Sequence, residues 1–222
     1  MLRNYDKTYQ GNIEFSMAKN ATACIKAFLQ NHLPDFPGFL KKEITSENIN
    51  EDLITSKLEI YLQRQARATD EIFMFQFQHP EKGSKRTTDM SVIYASPFAS
   101  TESIFAIEAK RLPTPGSGRQ KEYVEGNLGA MERFKRNHHG KHLQQSAILG
   151  YIEKNDFKFW HKEVCGWINN LIATNTDSTS LWNKNDLLNN RASSSGLSLY
   201  ESVNARTGST DIQLSHYWIY IN

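Results

Sequence analysis

Cysteine is scarce in this chain. Cys24 and Cys165 are the only two among 222 residues, and they match neither a zinc-ligand spacing nor a disulfide framework. Both are expected as buried, reduced thiols. Long apolar runs are missing as well. No stretch approaches the roughly 20 residues of a membrane span, and the opening MLRNYDKTYQGN lacks the apolar core of a signal peptide. The expectation is a soluble, cytoplasmic protein with no membrane partner. Nor does one sign of charge dominate. The 26 Lys and Arg against 24 Asp and Glu leave a formal +2, so a nucleic-acid-binding surface must be local rather than global. Internal repeats, low-complexity tracts, helix-turn-helix and zinc-finger patterns are all lacking.

What is present is a globular composition. With 39% hydrophobic residues, a chain of this length buries one sizeable core, and residues 1–222 read as a single domain. Phe15, Ala18, Ala21 or Thr22, Ile25 and Leu29 form one stripe of a helix over Phe15–Leu33. Pro34, Pro37 and Gly38 then break it. A second helix runs from about Ile49 to Ala66, with Ile54, Leu58, Tyr61 and Leu62 facing inward.

Three strands follow, Ile72–Gln78, Thr88–Ala95 and Ser103–Leu112. Arg119–Lys135 reads as helix, weakened by Gly126 and Gly129, and Ser146–Ile152 as a short strand. Phe157–Ala173 is an amphipathic helix whose Trp160, Val164, Trp167, Ile168 and Leu171 would cover a sheet. Asn175–Ser195 is a polar loop with a helical turn near Leu181–Leu188. Leu197–Ala205 and Ile212–Ile221 flank the turn signal Arg206-Thr-Gly-Ser and predict a C-terminal β-hairpin. The class is α/β, with a mixed central sheet flanked by helices.

The strongest chemical signal is Ile104-Phe-Ala-Ile-Glu-Ala-Lys110. Side chains alternate along a strand, so Glu108 and Lys110 share one face while Phe105, Ile107 and Ala109 share the other. A hairpin through the Ser96–Glu102 loop would carry Asp89, at the start of the preceding strand, to the same place as Glu108. Two converging carboxylates suit a hard cation such as Mg²⁺ or Mn²⁺, which takes oxygen ligands at ~2.0–2.1 Å and keeps several waters. Such an ion polarises a phosphoryl oxygen and activates water, and Lys110 could orient that water or stabilise developing charge.

Asp89, then Glu108-x-Lys110 about twenty residues on, with a helix before and a helix after, resembles the PD-(D/E)XK, or restriction-endonuclease-like, nuclease superfamily. The resemblance covers about Ile49–Ile152, and Thr88 stands at the variable name-giving proline position. It implies a restriction-endonuclease-like core, a divalent metal, and DNA or RNA as substrate, with DNA in a restriction or anti-phage setting as the leading expectation. It also implies an acidic residue on the preceding helix, best matched by Glu51 with Glu59 as substitute. Gln120 and Tyr123 match a Gln and a Tyr on the following helix.

The bland readings stand beside these. Asn48-x-x-Glu51 has capping-box spacing, so Glu51 is either a metal ligand or a cap. Gln120 either orients the scissile phosphate or bonds a strand end, and Tyr123 reads as a packing aromatic with its hydroxyl at the rim. Lys85, Arg86, Arg111 and Arg119 border the acidic site and are the expected phosphate contacts, with Lys82 nearby. Arg133, Lys135, Arg136, His138, His139, Lys141 and His142 read as a solvated helix end and polar loop. Target choice would come from loops, the N-terminal helix, a second copy or a partner subunit. The alternative function is a nuclease-fold subunit, weak or inactive in catalysis, that binds nucleic acid or a protein.

Overall fold

A computed structural model of the chain describes residues 10–44, 49–80, 86–96, 98–174 and 181–222, with side chains from residue 21 onward. Helix α1 (Gln10–His32) carries the predicted stripe, and Ala21, Ile25 and Leu29 on it are buried. Phe15 and Ala18 fall outside the described side chains. The proline break is real but brief. After a 3₁₀ turn at Leu33–Asp35 the chain resumes as α2 (Phe36–Glu43). Pro37 sits in the first turn of α2, where its missing N–H has no intrahelical partner to lose.

Helix α3 (Glu51–Ala68) begins at Asn50, whose side chain accepts the N–H of Leu53 at 2.8 Å. Glu51 and Asp52 then place negative charge at the positive end of the helix dipole. Ile54, Leu58, Tyr61 and Leu62 are all buried, as the period of 3.6 requires.

One seven-stranded sheet follows, in the order β1-β2-β3-β4-β7-β6-β5. Its strands are β1 (Phe73–Pro80), β2 (Thr87–Tyr94), β3 (Phe105–Leu112), β4 (Gln145–Ile152), β5 (Asn189–Ser193), β6 (Leu197–Arg206) and β7 (Ser209–Tyr220). The β2–β3 hairpin is antiparallel, with Met90 opposite Ile107 and Val92 opposite Phe105. Strands β3, β4 and β7 are mutually parallel, and the remaining pairs are antiparallel. The α/β class and the mixed sheet are therefore as expected. The predicted hairpin is present as β6–β7, turning at Thr207–Gly208, and β7 joins the middle of the sheet beside β4.

Two apolar layers sandwich the sheet. On one face α1, α2 and α3 cover Phe73, Phe75, Val92, Ile107, Leu149, Tyr217 and Ile219. On the other, α4 (Ala130–Lys135), α5 (Phe157–Ala173) and the β3–β4 crossover cover Ala106, Leu112, Ile148, Ile152, Leu214 and Trp218. Helix α5 starts on the Asp156 cap and buries Trp160, Val164 and Ile168. Among the described residues no helix is long and apolar enough to cross a membrane.

Four expectations need correction. The helix read over Arg119–Lys135 shrinks to α4, and the residues before it form turns. Gly126 takes φ +96, and the N–H groups of Ala130, Met131 and Glu132 bond back to the carbonyls of Glu122, Tyr123 and Val124. A Cβ on Gly129 would lie 2.7 Å from the Glu125 carbonyl oxygen, an approach only glycine tolerates. The loop read over Asn175–Ser195 holds the 3₁₀ turn Lys184–Asp186 but also the edge strand β5, and residues 175–180 lie outside those described. Cys24 is exposed and Cys165 only half-buried. Tyr123 is fully buried, not at a rim.

Candidate functional site

The site forms where β2 and β3 part company. The last register pair between them is Met90 with Ile107, and one step further the antiparallel geometry faces Asp89 with Glu108. There a side chain replaces the backbone ladder. The Asp89 Oδ2 accepts the N–H of Ala109 at 2.8 Å. Thr88 and Ser91 are buried beside it and share a 2.8 Å hydroxyl contact.

Glu108 is completely buried and lies on the sheet face that α4 covers. From α4 the Arg133 guanidinium donates Nη1 to Glu108 Oε2 at 2.9 Å. The other oxygen, Oε1, lies 3.2 Å from His139 Nδ1 but makes no hydrogen bond among the described residues. The reading of His139 as a solvent-exposed loop residue is thus corrected, since only 2% of it is exposed.

Lys110 stands two residues beyond Glu108 and is also buried. Its Nζ bonds Glu51 Oε1 at 2.7 Å, while Glu51 Oε2 accepts the backbone N–H of Arg111 at 3.0 Å. Glu51 therefore reaches β3 from the first turn of α3. It does not cap the helix, because Asn50 does so; Asn48 of the capping-box reading lies outside the described residues.

Charge in this cluster is strongly perturbed. Burial, reinforced by the neighbouring Glu108 charge, pushes the Asp89 carboxyl up to about 8, against the opposing pull of Lys110 and the Ala109 N–H. Burial also raises Glu108, with Arg133, Lys110 and the Asp89 N–H favouring its ionised form. For Lys110, burial works against the ammonium, but Glu51, Asp89 and Glu108 together outweigh it and hold the group above the ordinary lysine value.

The remaining expected residues are placed less centrally. Gln120 is exposed in a turn, its amide on the Gly116 carbonyl at 3.4 Å, a bond that does not tie it to Asp89, Glu108, Lys110 or Glu51. Arg119 is exposed and forked onto Glu122 by two 2.7 Å bonds, yet it feels the charge of Glu51. Arg111 is engaged by Glu153 and by the Ile49 carbonyl at 2.9 Å. Arg86 lies close enough to His138 to disfavour that ring's proton. Lys82 and Lys85 lie outside the described residues. Glu59 sits on α3, where burial raises its carboxyl and Arg67 lowers it.

Sequence reasoning missed three participants. Arg133 and His139 converge on Glu108, and Glu122 feels both Lys110 and Arg133. They belong to the crossover, and no spacing in the chain ties them to β3.

Among the described residues no three His, Cys, Asp or Glu side chains converge as a complete metal-ligand set. A hexacoordinate Mg²⁺ does not need one, since it commonly takes one or two carboxylates and fills the rest with water and substrate oxygens. Asp89 and the unbonded, buried Oε1 of Glu108 offer that kind of incomplete set. These two carboxyls are hard oxygen donors, and Arg133 and His139 now face the oxygens of Glu108. Comparison of the chain with protein-family models, curated proteins and solved structures finds no match.

Proposed function

We propose that the chain is a divalent-metal-dependent nuclease with a restriction-endonuclease-like core, hydrolysing phosphodiester bonds in DNA. The observation that carries the reading is the meeting of Asp89, Glu108 and Lys110 at one point of adjacent strands, joined there by Glu51 from α3. A buried carboxyl raised both by burial and by a second buried carboxylate, as Asp89 is by Glu108, is the kind of perturbed group that clusters at functional sites. Asp89 and Glu108 would hold Mg²⁺ or Mn²⁺, which supplies positive charge at the phosphoryl group and an activated water.

Lys110 supplies a fixed ammonium two residues along the same face, suited to orienting that water or stabilising charge on the pentavalent phosphorus. Glu51 is a positioning residue: it pins the Lys110 ammonium and fastens the end of β3 through the Arg111 N–H. Tight two-point anchoring of this kind is what keeps a catalytic group within reach of its target atom.

A second reading has one observation in its favour. Arg133 already neutralises Glu108, as it would in a subunit that binds nucleic acid or a protein without cutting. One experiment separates the two. Purified protein is incubated with supercoiled plasmid, linear duplex and single strands in Mg²⁺, Mn²⁺ or EDTA. Cleavage that needs metal and disappears in Glu108→Ala and Lys110→Ala supports the nuclease. Absence of cutting with every metal and substrate, or equal cutting by all variants, hands the case to the binding subunit.

A further inference from the structure

Arg133 occupies an unusual position for a residue of a basic surface run. Arg136, three residues on, is exposed and lies on Glu132, whereas Arg133 turns inward from α4 and spends its charge on the fully buried Glu108. Outward from it the field stays positive, because Arg86, Arg136 and Arg133 all act on His138. Arg86, just ahead of β2, and Arg133 and Arg136, at the end of α4, thus come together around His138. Of these arginines Arg133 is the one that also reaches the acidic site, so a phosphodiester drawn to that field meets it at the carboxylates.

We propose that Arg133 is the phosphate-contacting residue of the site, held on Glu108 as a counter-cation until a divalent metal takes its place. The inference rests on the nuclease reading. Glu108 Oε2 bears the guanidinium at 2.9 Å while Oε1 accepts no hydrogen bond among the described residues. A divalent ion arriving there supplies the charge that Arg133 now supplies. With metal and guanidinium both on one carboxylate, like charges repel. The planar, five-donor head of Arg133 is then free for a phosphate, which it matches in shape. The sign of one measurement separates this from a merely structural clamp. A clamp aids metal binding by holding Glu108 in place; a competitor hinders it.

The test uses the full chain, with Mn²⁺ binding measured by calorimetry and binding of a labelled DNA duplex measured in Ca²⁺ and in EDTA. Arg133→Ala is expected to bind Mn²⁺ about tenfold more tightly than wild type, the scale of one removed unit charge. It should bind the duplex about tenfold more weakly in Ca²⁺, the scale of one lost charge-assisted contact, and unchanged in EDTA. Arg133→Lys keeps the charge but not the planar fork, so it is expected to stay within about twofold of wild type in Mn²⁺ binding while binding the duplex more weakly in Ca²⁺; it serves as the folded comparison if the alanine variant is unstable. Weaker or unchanged Mn²⁺ binding by Arg133→Ala, with wild type binding normally, overturns this inference and leaves the nuclease reading intact. Wild type that binds no Mn²⁺ overturns both.

Discussion

Asp89 hydrogen-bonds the backbone N–H of Ala109 at 2.8 Å, so a carboxylate continues the β2–β3 pairing just past Met90 and Ile107. That bond fixes the side chain next to Glu108 and takes it out of water. The elevated Asp89 pKa is a direct outcome of that location.

The pH dependence of metal binding follows. With its pKa near 8 in the metal-free protein, Asp89 must lose a proton before it can act as a ligand. Mn²⁺ affinity is expected to rise by up to about tenfold per pH unit below pH 8 and to level off above it. Stability runs the other way. The folded pKa lies above the ordinary 3.8, so the folded state holds the proton more strongly. The Asp89 contribution to stability therefore falls as pH rises from about 4 to about 8. Asp89→Asn should abolish the metal response and flatten that slope, both readable by calorimetry and thermal melts across pH.

Glu108 and Lys110 should fail differently. Glu108→Gln removes a ligand oxygen's charge, so both Mn²⁺ binding and cleavage are expected to vanish. Lys110→Ala leaves the carboxylates in place, so Mn²⁺ still binds while the cleavage rate falls by about 10²–10³-fold. Parallel calorimetry and single-turnover cleavage would show whether the two losses separate in this way. Equal loss of Mn²⁺ binding in both variants would contradict the assigned roles.

Stability, by contrast, leans on a buried polar chain elsewhere. The Tyr123 hydroxyl bonds His216 Nδ1 and accepts Trp218 Nε1–H, both at 2.8 Å, and His216 Nε2 meets the Ser202 hydroxyl at 2.9 Å. Tyr123→Phe strands two buried groups, at a cost of about 1–3 kcal/mol, which should lower the melting point by about 2–4 °C per kcal/mol. Burial drives the His216 pKa down to about 3 from 6.5. Its neutral form is built in, so this contribution is complete above pH 6.5 and is lost as pH falls toward 3. Acid titration of wild type by circular dichroism should show progressive loss of stability through that window.

Some of this was readable in the chain and some was not, for identifiable reasons. Helix α5 and the stripe of α3 follow from apolar period alone, and the β6–β7 hairpin from Arg206-Thr-Gly-Ser, where Gly208 takes φ +66. The approach of Asp89 to Glu108 and Lys110 was legible because a short hairpin and a period of two place side chains without further information. Arg133 and His139 were not, because their contact with Glu108 depends on how residues 113–144 fold over the sheet. Residues 119–135 carry helix-favouring side chains, but Gly126 at φ +96 reverses the chain and leaves only Ala130–Lys135 helical. Strand β5 reads Asn-Asn-Arg-Ala-Ser, with no apolar alternation, because it is an exposed edge interrupted by a bulge.

Gly150 offers a packing test beside the site. It pairs with Lys110 across the parallel β3–β4 ladder. A Cβ there would lie 2.8 Å from Trp218 Nε1 and closer still to Cδ1. Gly150→Ala is expected to displace the Trp218 indole from Tyr123 and to cost about 1–3 kcal/mol, the usual range for overpacking a dense core. Urea unfolding and near-ultraviolet circular dichroism would read the loss together with the altered tryptophan environment.

The position of β4 between β3 and β7 also imposes an order of assembly. A chain emerging from the ribosome as far as α5 already holds Glu51, Asp89, Glu108, Lys110 and Arg133, yet β4 is still an open edge. Its residues are buried along nearly the whole strand in the finished fold, with Ala147, Ile148 and Leu149 at its centre, and that makes the open edge adhesive toward other unfinished chains. Only residues 209–220 seal it, by pairing with a strand 68 residues earlier, and contacts of that span form late. The half-built sheet is therefore exposed to self-association for as long as the closing hairpin is delayed. Slowing translation before β6 should lower the soluble yield more than slowing it after β7.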